Sequence, residues 1–112
     1  MKQTQKILFV CRSNRHRSKT AEKMYENDPR FLVRSGGASW LAVQPVTPAL
    51  LQWADWVIVM EEFQKERILT QYPEHIDADK IHSLEIPDEF PFDSEPLKVL
   101  IREKFEAFIE PI

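Results

Sequence analysis

Short apolar runs alternate with amphipathic stretches along most of the chain, a pattern typical of strands and helices in alternation. The apolar runs predict four strands, at residues 6–10, 31–35, 56–60 and 80–83. The third run, Trp-Val-Ile-Val-Met, is apolar throughout, as expected of a central parallel strand that is buried on both faces.

The amphipathic stretches predict four helices, at residues 18–27, 47–54, 61–71 and from Pro96 onward. Thr47 is suited to cap the second helix, and Pro48 follows at its first position. The last helix carries an apolar stripe with helical spacing. Its members are Leu97, Leu100, Ile101, Phe105, Phe108 and Ile109.

This order of elements predicts an α/β fold, a three-layer α-β-α arrangement with a four-stranded parallel sheet between two layers of helices. We find no repeat, linker or low-complexity tract, so residues 1–112 are predicted to form a single domain. Ligands of such sheets bind beyond the carboxyl ends of the strands, and Cys11 follows the end of the first strand.

The polar turn after that first strand concentrates unusual chemistry. It contains the only cysteine of the chain, and a helix is predicted to begin at its end, where backbone N–H groups lack helical partners and attract anions. A helix N-terminus and neighbouring cations favour the reactive thiolate of a cysteine such as Cys11. Arg17 could bind two oxygens of one phosphoryl group. Asn14, in the middle of the turn, tolerates a left-handed backbone.

Composition narrows the ligand of this turn. The chain is acidic, with a net charge of −3, yet three arginines and one lysine lie between residues 12 and 19. One basic turn on an acidic protein favours a small anionic group over a polyanion, so we expect no nucleic-acid partner. One cysteine excludes an intrachain disulfide and a cysteine-based zinc site, and the three histidines lack metal-ligand spacing, so no metal or cofactor is predicted.

The N-terminal five residues lack the apolar core of a signal peptide, and no apolar run approaches the roughly 20 residues of a membrane-spanning helix. We therefore expect no membrane association and a cytoplasmic location, where a reducing environment keeps the thiol free. The oligomeric state is left open.

Three other interpretations of the turn are open on the residues alone. The cysteine could be a small buried hydrophobe. Arg12, Arg15 and Lys19 could form a solvated surface or a nucleic-acid contact. The turn could also bind phosphoanions without hydrolysing them.

The turn resembles the signature loop of the low-molecular-weight protein tyrosine phosphatases, V-C-x-G-N-x-x-R-S. The matching residues are Val10, Cys11, Asn14, Arg17 and Ser18, and a serine at position 13 replaces the family glycine. The resemblance implies a phosphotyrosine phosphatase I-like fold and a phosphomonoester hydrolase, a protein tyrosine phosphatase, that works through a cysteinyl-phosphate intermediate. Its substrate would be a phosphotyrosine protein or a small aryl phosphate.

The resemblance also implies individual roles. Cys11 would be the nucleophile, Arg17 would bind the phosphoryl oxygens, and the hydroxyl of Ser18 would support the thiolate. The whole loop would surround the phosphate. Its residues are Arg12, Ser13, Asn14, Arg15, His16, Arg17 and Ser18.

Hydrolysis of an ester also needs a proton for the leaving oxygen, which a positioned carboxylic acid can donate. The family supplies an aspartate from a late D-P-aromatic loop, and residues 86–93 form a similar proline-bounded loop here. Asp88 is the predicted donor because Pro87 precedes it and Phe90 follows, although a glutamate stands where the family has proline. Asp93 is the alternative donor.

The sequence departs from the family at two further places. It is shorter between Gly37 and Ala54, where the family carries a longer loop and helix that shape the substrate cleft. His16 replaces the second cysteine that some members carry, so the cysteine relay of related arsenate reductases cannot operate, and only reduction assisted by an external thiol stays open as an alternative.

Two segments, 33–37 and 54–61, also resemble the family and are interpreted as mainly structural. Asp55, in the second segment, is predicted to serve a turn or a helix end. Phe90, Phe92 and Trp40 are candidates for a wall beside an aromatic leaving group, although each could instead pack on the core.

Overall fold

The computed structural model describes residues 4–112. The first three residues of the pentapeptide considered above for a signal sequence lie outside that range. Four strands and four α-helices alternate, as follows: β1 (Gln5–Cys11), α1 (Arg17–Tyr25), β2 (Phe31–Gly37), α2 (Pro48–Trp53), β3 (Trp56–Val59), α3 (Glu62–Gln71), β4 (Ile81–Ser83) and α4 (Glu95–Ile109). A 3₁₀ turn, Ala78–Lys80, leads into β4.

The four strands form one parallel sheet in the order β2-β1-β3-β4. The chain runs from β1 outward to β2 on one side and then returns to β3 on the other side of β1. The carboxyl end of β1 therefore lies at the point where the strand order reverses, which is the usual ligand position in open α/β sheets.

Successive residues of β1 enter two different cores, because side chains of a strand alternate between the faces of its sheet. Ile7 and Phe9 pack with apolar residues of α1 and α4, including Phe105. Leu8 and Val10 pack with residues of α2 and α3 on the opposite face. The sheet is thus covered by helices on both faces, which confirms the predicted three-layer α-β-α class.

The predicted boundaries differ from the observed ones by at most two residues. The first helix begins at Arg17 and ends at Tyr25, whereas the pattern predicted residues 18–27. The cap of the second helix is confirmed, because the Thr47 hydroxyl accepts a hydrogen bond from the Leu50 amide at 3.2 Å. Among residues 4–112, no helix is both long enough and apolar enough to cross a bilayer.

The turn role predicted for Asp55 is also confirmed. Its carboxylate accepts a hydrogen bond from the backbone amide of Lys6 at 2.8 Å. The Asp55 amide donates in return to the Lys6 carbonyl at 2.8 Å. These two bonds join the starts of β1 and β3 and thereby help to fix the register of the two central strands.

A surface ion pair connects α4 to the turn before β2. Arg30 donates two parallel hydrogen bonds of 2.8 Å to Glu106 and also binds the carboxylate of Asp28. Hydrogen bonds from Arg30 lower the pKa of both carboxyl groups. Because the folded pKa values lie below those of the unfolded chain, this contribution to stability is complete above about pH 4.5 and is lost as the pH falls through the folded values.

We therefore expect Glu106→Gln to lower the free energy of unfolding by roughly 0.5 to 1 kcal/mol at neutral pH, a modest amount because the Arg30 side chain is 46% exposed and screened by solvent. The deficit should shrink below pH 4. Urea unfolding at both pH values measures it, with Glu103→Gln on the same helix as the control. A deficit that stays constant with pH would contradict the assignment to this ion pair.

Candidate active site

Cys11 is the last residue of β1, and its sulfur is enclosed by polar groups of the turn that follows. The residue is only 2% exposed. Its Sγ lies 3.2 Å from the backbone amide of Asn14, which donates to it, and 3.0 Å from Oγ of Ser18. Residues 11–18, which we call the cysteine loop, therefore fold back over the sulfur and place two hydrogen-bonding groups beside it.

Asn14 and Ser18 hold the cysteine loop together. Asn14 has φ 57°, which confirms the left-handed backbone expected of the turn. Its side-chain amide donates a 2.7 Å hydrogen bond to Oγ of Ser18, and both residues are fully buried. Since the Ser18 oxygen accepts this bond, its own proton is available for the Cys11 sulfur.

The carbonyl groups of the cysteine loop point away from its interior. Those of Cys11, Arg12 and Ser13 accept hydrogen bonds from the amides of residues 38, 39 and 43, with N···O distances of 2.8–3.1 Å. The Asn14 amide faces the interior, where it donates to the Cys11 sulfur, and it lies next to the start of α1, whose first turn carries no acidic residue. This is the arrangement of an anion-binding nest at a helix N-terminus.

The amides that donate to these carbonyls belong to residues 38–43, which we call the rim segment. Gly37 allows its close approach, because a Cβ at position 37 would lie 2.2 Å from the Cβ of Ala42 and 3.0 Å from the Arg12 carbonyl oxygen. The glycine thus lets the rim segment lie directly against the cysteine loop.

Arg17 is almost completely buried, with 2% exposure, at the first position of α1. Its Nη1 donates to the carboxylate of Glu61 at 2.5 Å and to the carbonyl of Ile86 at 2.8 Å. Its Nε and Nη2 form no hydrogen bond with residues 4–112. The Nε–Nη2 edge, which the Asp88 carboxylate approaches to 3.8 Å at Nε, has the fork geometry that binds two oxygens of one anion.

Glu61 follows β3, the strand next to β1, and is itself fixed by the start of α3. Its side chain and that of Gln64 form a reciprocal capping box. Gln64 is fully buried, and its side-chain oxygen Oε1 also accepts a hydrogen bond from the Met60 amide at 2.9 Å. Within segment 54–61, which was interpreted as mainly structural, Glu61 orients Arg17, a contact that the sequence reasoning did not identify. An acidic residue directly after a central strand was the available signal.

The two candidate proton donors lie in different surroundings. The Asp88 carboxylate is 58% exposed and lies 3.8 Å from Nε of Arg17. Asp93 instead contacts Lys23 at 3.0 Å and Lys98 at 3.7 Å. The hydrogen bond from Lys23 lowers the pKa of Asp93, which keeps that carboxyl ionised. Of the two candidate donors, only Asp88 lies near the guanidinium of Arg17.

The remaining predicted residues form the outer part of the cysteine loop. Arg12, Arg15 and His16 are exposed, and Ser13 is half-buried. Ser13 takes the place of the family glycine with a negative φ, since Asn14 is the loop residue with a positive φ. The described residues contain no group of three histidine, cysteine, aspartate or glutamate side chains arranged to hold a metal ion.

The three aromatic residues predicted as a wall beside the leaving group lie in different surroundings. Phe90 packs against the core between β1 and α4. Phe92 is 46% exposed and lies under the ammonium group of Lys23 at 5.6 Å. Trp40, on the rim segment, is 73% exposed.

No family model and no curated protein sequence matches the chain. Solved structures do match. A low-molecular-weight protein tyrosine phosphatase of Streptococcus pyogenes superposes with a TM-score of 0.81 at 17% identity, over 97% of this chain and 93% of that chain. The tyrosine phosphatase AmsI of Erwinia amylovora gives 0.79 at 17% identity, over 98% and 94%.

The arginine phosphatase YwlE of Geobacillus stearothermophilus also matches, with a TM-score of 0.61 at 23% identity, over 91% of this chain and 84% of that chain. At these identities the similarity concerns the fold, and it agrees with the resemblance of the cysteine loop. The chain is a divergent representative of the low-molecular-weight tyrosine phosphatase fold.

Proposed function

We propose that the chain is a phosphomonoester hydrolase that transfers the phosphoryl group to Cys11 and then to water, with phosphotyrosine proteins or small aryl phosphates as substrates. One observation carries this proposal: the Cys11 sulfur and the Nε–Nη2 edge of the Arg17 guanidinium belong to one cysteine loop, whose first three carbonyls point outward. The family resemblance and the matched phosphatase structures support it.

In the first step the Cys11 thiolate attacks phosphorus and the ester P–O bond breaks. The inward amides and Arg17 stabilise the charge on the three equatorial oxygens. Asp88, entering as the carboxylic acid, gives its proton to the leaving oxygen. The products are the free alcohol and a cysteinyl phosphate.

In the second step the ionised Asp88 takes a proton from water as the water oxygen attacks phosphorus. The S–P bond breaks, inorganic phosphate leaves, and the sulfur departs as a thiolate that the Ser18 hydroxyl and the Asn14 amide stabilise by hydrogen bonding. No metal or cofactor enters either step. We also propose a cytoplasmic location, because the mechanism needs the single cysteine reduced.

The test is hydrolysis of p-nitrophenyl phosphate in the presence of EDTA. We expect turnover that EDTA leaves unchanged and that vanadate, a mimic of the five-coordinate transition state, inhibits. Protection of Cys11 by phosphate from alkylation, with no turnover, would instead identify a module that only binds phosphoanions.

The choice of Asp88 over Asp93 gives a separate prediction. Asp88→Asn should lower kcat/KM for phenyl phosphate by about 10²- to 10³-fold, and less for p-nitrophenyl phosphate, whose leaving group needs less protonation. Asp93→Asn is the matched control because asparagine tolerates the φ of 60° at that position, and it should stay near wild type. Equal losses in both variants would contradict the assignment.

A further inference from the structure

Two exposed arginines of the cysteine loop have no acidic partner among the described residues. Neither Arg12 nor Arg15 has a carboxylate within ion-pair distance in residues 4–112, whereas Arg17 and Arg30 are both paired. The protein as a whole is acidic, with a net charge of −3. Arg12 and Arg15 therefore place two unpaired positive charges on the exposed part of the cysteine loop, where they would attract further anionic groups of a substrate.

The rim segment adds an apolar surface beside that part of the loop, and we call the two together the entrance. Trp40, Leu41 and Val43 are 73%, 70% and 61% exposed and are the most exposed large hydrophobic side chains of residues 4–112. They are held beside the arginines because the Ser39 amide donates to the Arg12 carbonyl at 3.0 Å and the Val43 amide to the Ser13 carbonyl at 3.1 Å. An exposed apolar cluster of this kind is typical of a surface that binds a partner.

We propose that this entrance binds an acidic protein segment around the phosphorylated residue, with carboxylates on Arg12 and Arg15 and apolar side chains on Leu41 and Val43. This inference rests on the proposed function and deepens it by naming the substrate class. Cys11 is only 2% exposed, so a phosphoryl group on a long side chain such as tyrosine reaches it more easily than one on a short side chain.

Charge also separates two kinds of phosphorylated side chain. The structures that match this fold include both tyrosine and arginine phosphatases. The guanidino group of a phosphorylated arginine becomes cationic as it leaves, and Arg15 places a second positive charge at the entrance. Like charges raise the energy of that reaction, so the entrance favours phosphotyrosine in an acidic context.

The first experiment measures binding, which needs no turnover. Fluorescein-labelled phosphotyrosine peptides with aspartate and glutamate neighbours, or with lysine neighbours, are titrated with Cys11→Ser protein and followed by polarisation. Two exposed charge pairs should make the acidic peptide bind about fivefold tighter or more at low salt. The difference should diminish between about 50 mM and about 500 mM NaCl because the charges are exposed. Equal affinities at low salt would overturn the proposal.

The second experiment tests the apolar part of the surface. The double variant Leu41→Ser with Val43→Ser should weaken binding of the acidic peptide by about tenfold, since each side chain loses part of its apolar contact. Turnover of p-nitrophenyl phosphate, which carries no peptide for Leu41 and Val43 to contact, should stay unchanged. Leu32→Ser, an exposed leucine on β2, is the matched control and should bind the peptide like wild type. Unchanged peptide binding by the double variant would overturn the proposal.

The outcomes separate this inference from the proposed function. Selective binding of the acidic peptide without hydrolysis would reject the phosphatase and keep the acidic-segment surface. Hydrolysis without selectivity for the acidic peptide would keep the phosphatase and reject the acidic-segment surface. A dimer in sedimentation, or flotation with vesicles of anionic lipid, that the double variant abolishes would assign the rim segment to a second copy or to a membrane and overturn the proposal.

Discussion

Cys11→Ser is expected to reduce turnover of aryl phosphates by roughly 10⁴-fold or more, to the background rate. A serine hydroxyl stays un-ionised at neutral pH, and neither the Asn14 amide nor the Ser18 hydroxyl near position 11 can act as the base that would activate it. The steady-state rate with p-nitrophenyl phosphate measures the loss. Activity within a hundredfold of wild type would reject the cysteinyl-phosphate mechanism.

Binding of phosphate or vanadate by the anion site is the control for this variant. Serine is close to cysteine in size, so the inward amides should persist, and calorimetric titration should show that the variant still binds phosphate or vanadate. Alkylation offers an independent check, because Cys11 is the only cysteine and intact mass reports its modification alone. Phosphate should slow that alkylation in the wild-type protein.

Arg17→Lys is expected to have the second-largest effect, a fall in kcat/KM of about 10²- to 10⁴-fold. Lysine keeps the positive charge but replaces the planar fork with a single ammonium group, so it cannot bind two phosphoryl oxygens in fixed geometry. It also cannot reproduce the two bonds of Nη1 to Glu61 and Ile86. Stopped assays over a range of substrate concentrations give the change in kcat and KM separately.

Two further variants make this prediction specific. Arg102→Lys, at an exposed position of α4, should leave the rate unchanged, which excludes a general effect of exchanging arginine for lysine. Glu61→Gln keeps an acceptor for Nη1 but removes the charge, so its loss should be smaller than that of Arg17→Lys. If Arg17→Lys retained full activity, the guanidinium would have no part in binding the phosphoryl group.

Much of the site was accessible from the sequence because its central part is local. Cys11, Asn14, Arg17 and Ser18 lie within eight residues, and the geometry of a strand, a turn and a helix start is set by that short stretch. The left-handed Asn14 followed from the chemistry of its side chain. The bounds of α1 were displaced by one or two residues, since helix ends depend on capping contacts that periodicity does not show.

The contacts that orient Arg17 were not accessible in this way. Glu61 and Ile86 lie 44 and 69 residues from it in sequence. The same is true of the choice between Asp88 and Asp93, which have similar loop sequences around them. Lys23 and Lys98, which neutralise Asp93, come from α1 and α4, and only their packing brings them to that loop.

The sequence by itself therefore determined the four strands, the four helices, the three-layer class and the cysteine loop, because alternation of apolar residues and turn chemistry act over a few neighbouring residues. Tertiary structure alone decided the strand order β2-β1-β3-β4, and with it the position of the Glu61 carboxylate beside Arg17. It also decided the different surroundings of Asp88 and Asp93 and the position of the rim segment against the cysteine loop. The physical reason is that the same local pattern is compatible with several strand orders, and the order is set by how the strands and helices of the whole chain pack together.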